Sequence, residues 1–124
     1  MKTITYTFST IAILAMAPSL ALACTTQRTP HFENDEVKVW TSHICPKEEL
    51  PFHAHQNPRV LISESDGEID VQYKDGRKSK IILKKNIPLY VDAKQGAMSH
   101  NDLNIGKEPM DVTVIELKIA PNNR

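Results

Sequence analysis

A chain of 124 residues with 15 Lys+Arg against 15 Asp+Glu carries no formal net charge at pH 7, so it has neither the basic footprint of a nucleic-acid binder nor an acidic tail. Its length suits a single domain, since domains run to ~100–200 residues. Aromatic residues at 6% supply stacked-base recognition poorly, and no glycine-rich phosphate loop occurs.

Residues 1–23 read as an export leader. Lys2 opens it, Ile11 to Ala17 form an apolar run, Pro18 and Ser19 break that run, and Ala21-Leu22-Ala23 supplies the small-x-small pattern for cleavage after Ala23. The run is shorter than the ~20 residues that span a bilayer. Cleavage leaves Cys24 first, and two fates compete for its sulfur. Leu20-Ala21-Leu22-Ala23-Cys24 loosely resembles a bacterial lipoprotein box with Leu22 one place late, and lipidation would anchor the protein to a membrane. Alternatively, Cys24 pairs with Cys45 in an oxidising compartment, closing a ~20-residue loop worth about 3 kcal/mol in the chain-entropy model. The expected location is periplasmic or secreted, with a membrane partner only if Cys24 is lipidated.

The remainder divides into an N-terminal segment, 24–35, with a solvated His31; a folded domain, 36–120; and a frayed tail, 121–124. Within the domain, apolar residues recur with period two. Val37, Val39 and Thr41 alternate with Lys38 and Ser42, although Trp40 lies on the second face, and Ile69, Val71 and Tyr73 alternate with Asp70 and Gln72. Asp75-Gly76 separates that run from Ser79–Lys84, which signals a hairpin whose two turn residues both take positive φ. Asp66-Gly67 marks an earlier turn by the same logic. Asp111–Ile119 is rich in β-branched residues. Turns near 46–51, 57–58, 66–67, 75–76, 95–96 and 105–109 predict an all-β fold, a small antiparallel barrel or jelly roll with room for side chains or one small ligand.

His53-Ala54-His55 is the sharpest chemical feature. On an extended strand, residues two apart share a face, so both imidazoles enter one space as a partial metal chelate. The segment Pro51-Phe52-His53-Ala54-His55-Gln56-Asn57-Pro58-Arg59, running on to Asp66-Gly67, and the later Ser99-His100-Asn101-Asp102-Leu103-Asn104-Ile105-Gly106 together resemble the two motifs of the cupin superfamily. The likeness is to small single-domain members with a His-x-His-x3-Arg first motif and a His-x3-Asn-x-Gly second motif, and it spans about Val37 to Ile119. The resemblance implies a β-barrel in which His53, His55 and His100 converge as ligands of one divalent metal (zinc, iron, nickel, copper or manganese), with Asn104 and Gly67 at accompanying motif positions. Arg59 stands where metal-binding members usually carry Glu. A guanidinium cannot coordinate and repels a nearby cation, and the interval before His100 is about three residues longer than usual.

Arg59 instead suits bidentate recognition of a small anionic ligand such as a carboxylate. Trp40, Phe52 and Tyr90 are candidates for the pocket mouth or, alternatively, buried aromatics. His43 and Cys45 are either supplementary soft ligands or, for Cys45, the disulfide partner. Ser99 and His100, adjacent on a strand, point to opposite faces and make no nucleophile–base pair. Three functions stay open: an exported pocket for a metal or small anion, a metal-dependent oxygenase or isomerase, and a non-catalytic interaction module with a vestigial pocket. Barrels of this kind often pair through sheet edges, so a homodimer is a further expectation, although no residue marks its interface.

Overall fold

A computed structural model of the chain describes residues 2–3 and 22–119. Most of the expected leader, 1–23, and all of the expected tail, 121–124, lie outside the described residues. The strands are β1 (Gln27–Glu33), β2 (Val37–Ile44), β3 (Glu49–His53), β4 (Arg59–Ser63), β5 (Gly67–Tyr73), β6 (Lys78–Leu83), β7 (Leu89–Val91), β8 (His100–Asn104) and β9 (Met110–Leu117), with one helix, α1 (Ala93–Ala97), before β8. They build two antiparallel sheets, one ordered β1-β2-β9-β4-β7 and the other β3-β8-β5-β6. The all-β architecture expected from the sequence is the one observed.

Strand alternation sets the core between the sheets. Leu61 on β4, Ile69 and Val71 on β5, and Met110, Val112 and Val114 on β9 point inward, where they meet Trp40, Ile44, Leu50, Leu83 and Val91. On β2 the inward residues are Trp40, Ser42 and Ile44, the face opposite Val37, Val39 and Thr41. The outer face of this sheet is a polar ladder. His31 Nε2 lies 2.7 Å from Thr41 Oγ1, Thr41 lies 3.3 Å from Thr113, and His43 Nδ1 lies 2.8 Å from Asp111.

Three expectations are corrected by the structure. Segment 24–35 does not precede the fold, because β1 pairs with β2 from Gln27–His43 to Glu33–Lys38, and His31 takes part in it. Every β1 residue is exposed, so the segment had no apolar face to betray a strand. At Asp75-Gly76 only the glycine has positive φ, at 91°. Gly76 N donates to Tyr73 O at 2.9 Å and Tyr73 N to Arg77 O at 2.8 Å, the pattern of a three-residue hairpin loop whose last residue is left-handed. At Asp66-Gly67 neither residue has positive φ: Gly67 is the first residue of β5, where a Cβ would lie 2.5 Å from Met110 Cε.

Candidate functional site

Strand pairing begins the site. His53 ends β3 and sits opposite His100, the first residue of β8, after a register shift that follows Leu50. His55 lies past the end of β3, so the two first-motif histidines do not share a face by simple strand period. The chain turns instead, with His55 N donating to Gly96 O of α1 at 2.8 Å. Ring centroids are 4.9 Å apart for His53 and His55, 4.6 Å for His53 and His100, and 5.6 Å for His55 and His100. Trp40 lies parallel to His55 with centroids 6.0 Å apart.

The hydrogen bonds of these rings fix their tautomers. His53 Nδ1 is 2.6 Å from Pro51 O and His100 Nδ1 is 2.8 Å from Met98 O. His55 Nδ1 is 3.4 Å from a Glu116 carboxylate oxygen. Carbonyl and carboxylate oxygens can only accept, so each Nδ1 carries the hydrogen, and in the neutral ring Nε2 then keeps its lone pair. A donated Nδ1–H together with a free Nε2 is the arrangement that supports a metal-ligating histidine. One ligand nitrogen from each of the three lies within 4.8 Å of the other two. Burial pushes the His100 imidazole below its ordinary pKa, outweighing the Met98 carbonyl and Asp102, which act the other way.

Two charged groups enter the same space from facing sheets. Arg59, the inward first residue of β4, is 3% exposed. Its Nη2 donates to Gln95 Oε1 of α1, while its Nη1 has no hydrogen-bond partner. Desolvation lowers its pKa, opposed by Asp102 and Glu116, and a guanidinium so shifted remains charged at neutral pH. Asp102 on β8 places Oδ2 at 3.2 Å from His53 Nε2 and Oδ1 at 3.9 Å from His100 Nε2. Sequence reasoning missed Asp102, although the spacing His100-x-Asp102 carries the same two-residue signal as His53-x-His55.

Helix α1 covers the group. It begins on an Asp92 cap whose side chain accepts from Gln95 N at 3.0 Å. Tyr73 donates its hydroxyl to Gln95 O at 3.1 Å. Gly96 packs so tightly that a Cβ on it would lie 2.6 Å from Arg59 Nη1 and 2.8 Å from His55 Cβ. The longer interval before His100 is therefore this helix. Below it lies a cavity of about 40 Å³ bordered by Trp40, His55, Arg59, Gln95, His100 and Asp102, enough for an ion with a few waters. An outer cleft of about 480 Å³ shares Arg28, Trp40 and His55 with it and adds Lys38, Asn57 and Glu116. Arg28 and Lys38 lie over the Trp40 ring at 5.7 and 5.9 Å.

Other sequence candidates fall elsewhere. Asn104 is fully buried but spends its side chain on structure: it donates to Ile44 O at 2.9 Å and Glu108 O at 2.8 Å and accepts from Gly106 N at 2.9 Å. It pins the β8–β9 loop and has no group left for a ligand. Tyr90 is 61% exposed and sits opposite Val60, on the outer face of β7, because the inward β4 positions are Arg59, Leu61 and Ser63. Phe52 is exposed and borders a separate surface hollow, so Trp40 alone of the three aromatics reaches the cavity. Cys24 and Cys45 are joined as a disulfide with Cα atoms 5.9 Å apart, and His43 Nε2 lies 3.4 Å from Cys24 Sγ.

No family model and no curated protein matches the sequence. Solved structures do match. A cupin domain from Bordetella pertussis superposes with TM-score 0.65 at 20% identity, covering 76% of this chain and 94% of its own. An RmlC-like cupin family protein with a double-stranded β-helix fold, from Methanocaldococcus jannaschii, gives 0.57 at 18% identity over 77% and 83% of the two chains. A cupin superfamily protein from Desulfitobacterium hafniense gives 0.54 at 18% identity over 78% and 81%. At these identities the likeness is one of fold, and the fold of this chain is the double-stranded β-helix of the cupins.

Proposed function

We propose that this protein is an exported binding module that holds one divalent transition metal on His53, His55 and His100 and receives a small carboxylate beside it at Arg59. The observation that carries the reading is the common tautomer: three clustered imidazoles each give up Nδ1–H to an oxygen and keep Nε2 available. The donor set fits a metal, because His53 Nε2 is buried without a hydrogen-bond partner and neutral imidazole suits zinc, copper, iron and nickel. A bound ion would supply a Lewis-acid position for an anionic oxygen. Arg59 supports the anion half of the reading, since Nη1 is a buried, unsatisfied donor and guanidinium recognises carboxylates in a fork. The small inner cavity takes the head of such a ligand, and the cationic outer cleft takes the rest. Export is supported by the Cys24–Cys45 disulfide, which persists in oxidising compartments.

The test is elemental analysis of untagged protein recovered from the periplasm, with the triple alanine variant at His53, His55 and His100 as control. Near-stoichiometric metal in the wild type alone is expected. Absence of metal in both, after reloading with zinc, iron, nickel, copper and manganese, overturns the metal reading. Calorimetry with acetate-to-succinate carboxylates against their amides tests the anion: Arg59→Met should weaken carboxylate binding by about tenfold or more, and equal affinity for the amides refutes it. The intact mass should correspond to a chain beginning at Cys24 and lacking two hydrogens.

A further inference from the structure

The three imidazoles share their space with the Asp102 carboxylate, which helps to hold the charge of the buried Arg59 against desolvation. Asp102 is largely buried, with 16% of its side chain exposed, yet Oδ1 has no hydrogen-bond partner. Among the described residues, the ionisable groups within 4.0 Å of its oxygens are His53 and His100, and Arg28 and Arg59 act on it from farther away. Oδ2 lies 3.2 Å from His53 Nε2 but out of line for a hydrogen bond, and that nitrogen is itself unpartnered. With its hydrogen on Nδ1, His53 turns a lone pair toward a carboxylate. Two lone-pair groups at that separation repel each other, and either a proton on Nε2 or a metal ion shared by both relieves that repulsion.

The carboxylate approaches the spacing of ligands on one ion with two of the three histidine nitrogens, through a different oxygen for each. Ligands at about 2.0–2.2 Å from a four-coordinate metal lie about 3.3–3.6 Å from each other, and Asp102 oxygens stand 3.2 and 3.9 Å from the two nitrogens. The backbone explains why. His100 and Asp102 are two apart on β8 and so share its inner face, and β8 pairs with β3 through Asp102–Leu50 and His100–His53. We propose that Asp102 is the fourth protein ligand of the metal site, making it three histidines and one aspartate, with the carboxylate supplied by β8 while Arg59 occupies the inner end of β4. The inference rests on the metal reading above.

Purified wild type, Asp102→Asn and, as a control, Asp111→Asn, whose carboxylate is bound to His43 outside the cavity, are each loaded with zinc and with cobalt(II). Zinc affinity is measured by chelator competition, cobalt coordination by its visible d–d absorption, and folding by circular dichroism. Asp102→Asn should weaken zinc binding on the order of 100-fold or more and displace the cobalt bands, with Asp111→Asn unchanged. If Asp102→Asn binds zinc within about threefold of wild type with an identical cobalt spectrum, Asp102 is not a ligand, although the three-histidine reading survives. If wild type binds neither ion, both readings fall. Should Asp102→Asn not fold, Asp102→Glu replaces it: displaced cobalt bands or lost binding supports ligation, and a spectrum identical to wild type overturns it.

Discussion

Gly96→Ala tests whether α1 is clamped onto the site as the contacts imply. An ideal Cβ at this position lies 2.6 Å from Arg59 Nη1, 2.8 Å from His55 Cβ and 3.2 Å from Arg59 Cζ. Relief requires several tenths of an ångström of movement against two buried side chains. Arg59 cannot yield without breaking its bond to Gln95, and α1 cannot lift without stretching His55 N to Gly96 O and Tyr73 Oη to Gln95 O. Overpacking of this kind costs about 1–3 kcal/mol, while alanine in place of a helical glycine returns up to about 1 kcal/mol. The net loss is about 1–2 kcal/mol, which in a domain near 100 residues lowers Tm by roughly 4–16 °C. The comparison is Gly67→Ala, whose Cβ would stand closer still, 2.5 Å from Met110 Cε. The obstacle there is the tip of a flexible thioether that can swing aside, so this variant should lose less. Thermal melts of both, metal-free and at one pH, decide the matter. A Gly96→Ala protein as stable as wild type, or less affected than Gly67→Ala, refutes the clamp.

The Cys24–Cys45 disulfide spans a sequence separation of 21 and in the chain-entropy model contributes about 3 kcal/mol. Cys24→Ser should therefore lower Tm by roughly 12–24 °C in a melt without reductant, and equal melting of variant and wild type would show that β1 and β2 hold this end without it. His100 supplies a pH dependence. Burial depresses its pKa in the folded chain, so just below ~6.5 the unfolded chain binds a proton that the folded chain refuses. Its stabilisation is present above that pH and falls away on acidification toward the depressed folded value. Melts of metal-free protein between about pH 7.5 and pH 5 should show this slope, and an unaltered slope in His100→Gln would assign it to other groups.

Legibility in the sequence followed what each strand faces. β5 and β9 bury one apolar file, Ile69 with Val71 and Met110 with Val112 and Val114, and two-residue alternation reports such files well. β1 buries nothing and so left no pattern. On β2 the alternation was real, but it did not tell which side faces the core. Val37, Val39 and Thr41 look like a core file, while the inner file includes Ser42 because it borders a polar cavity. Helix α1 has five residues, too few for a helical period to register. Its cap Asp92 and the tight Gly96 are its only marks, and they resemble a turn. Helix and Asp102 were missed for related reasons: each sits in a stretch where polar side chains are placed for the site, so hydrophobic pattern carries no information there.

A different criterion separates structural from functional polar residues once they are known to point inward. Buried polar groups in a folded protein are nearly always paired, and each exception calls for an explanation. Ser63 is paired, its hydroxyl donating to Ser65 O at 2.7 Å, and Asn104 uses its amide fully on the chain around it. Asn104 stands at a motif position and is structural in effect, as Ser63 is. His53 Nε2, Arg59 Nη1 and Asp102 Oδ1 are buried and unpaired in the group beneath α1, together with Trp40 Nε1 and Gln95 Nε2 at the same cavity, while Asp70 Oδ1 and Asn101 Oδ1 are unpaired away from it. The first three are complementary in kind: a lone pair and a carboxylate oxygen that ask for a cation, and a guanidinium N–H that asks for an anion. A dication with an anionic ligand supplies both in one space. Water can hydrogen-bond to each of these groups but carries no charge to offset the desolvation of the carboxylate and the guanidinium, which an ion and an anionic ligand both do. The pairing deficit thus argues for joint occupancy, and carboxylate binding should be tighter to metal-loaded protein than to metal-free protein.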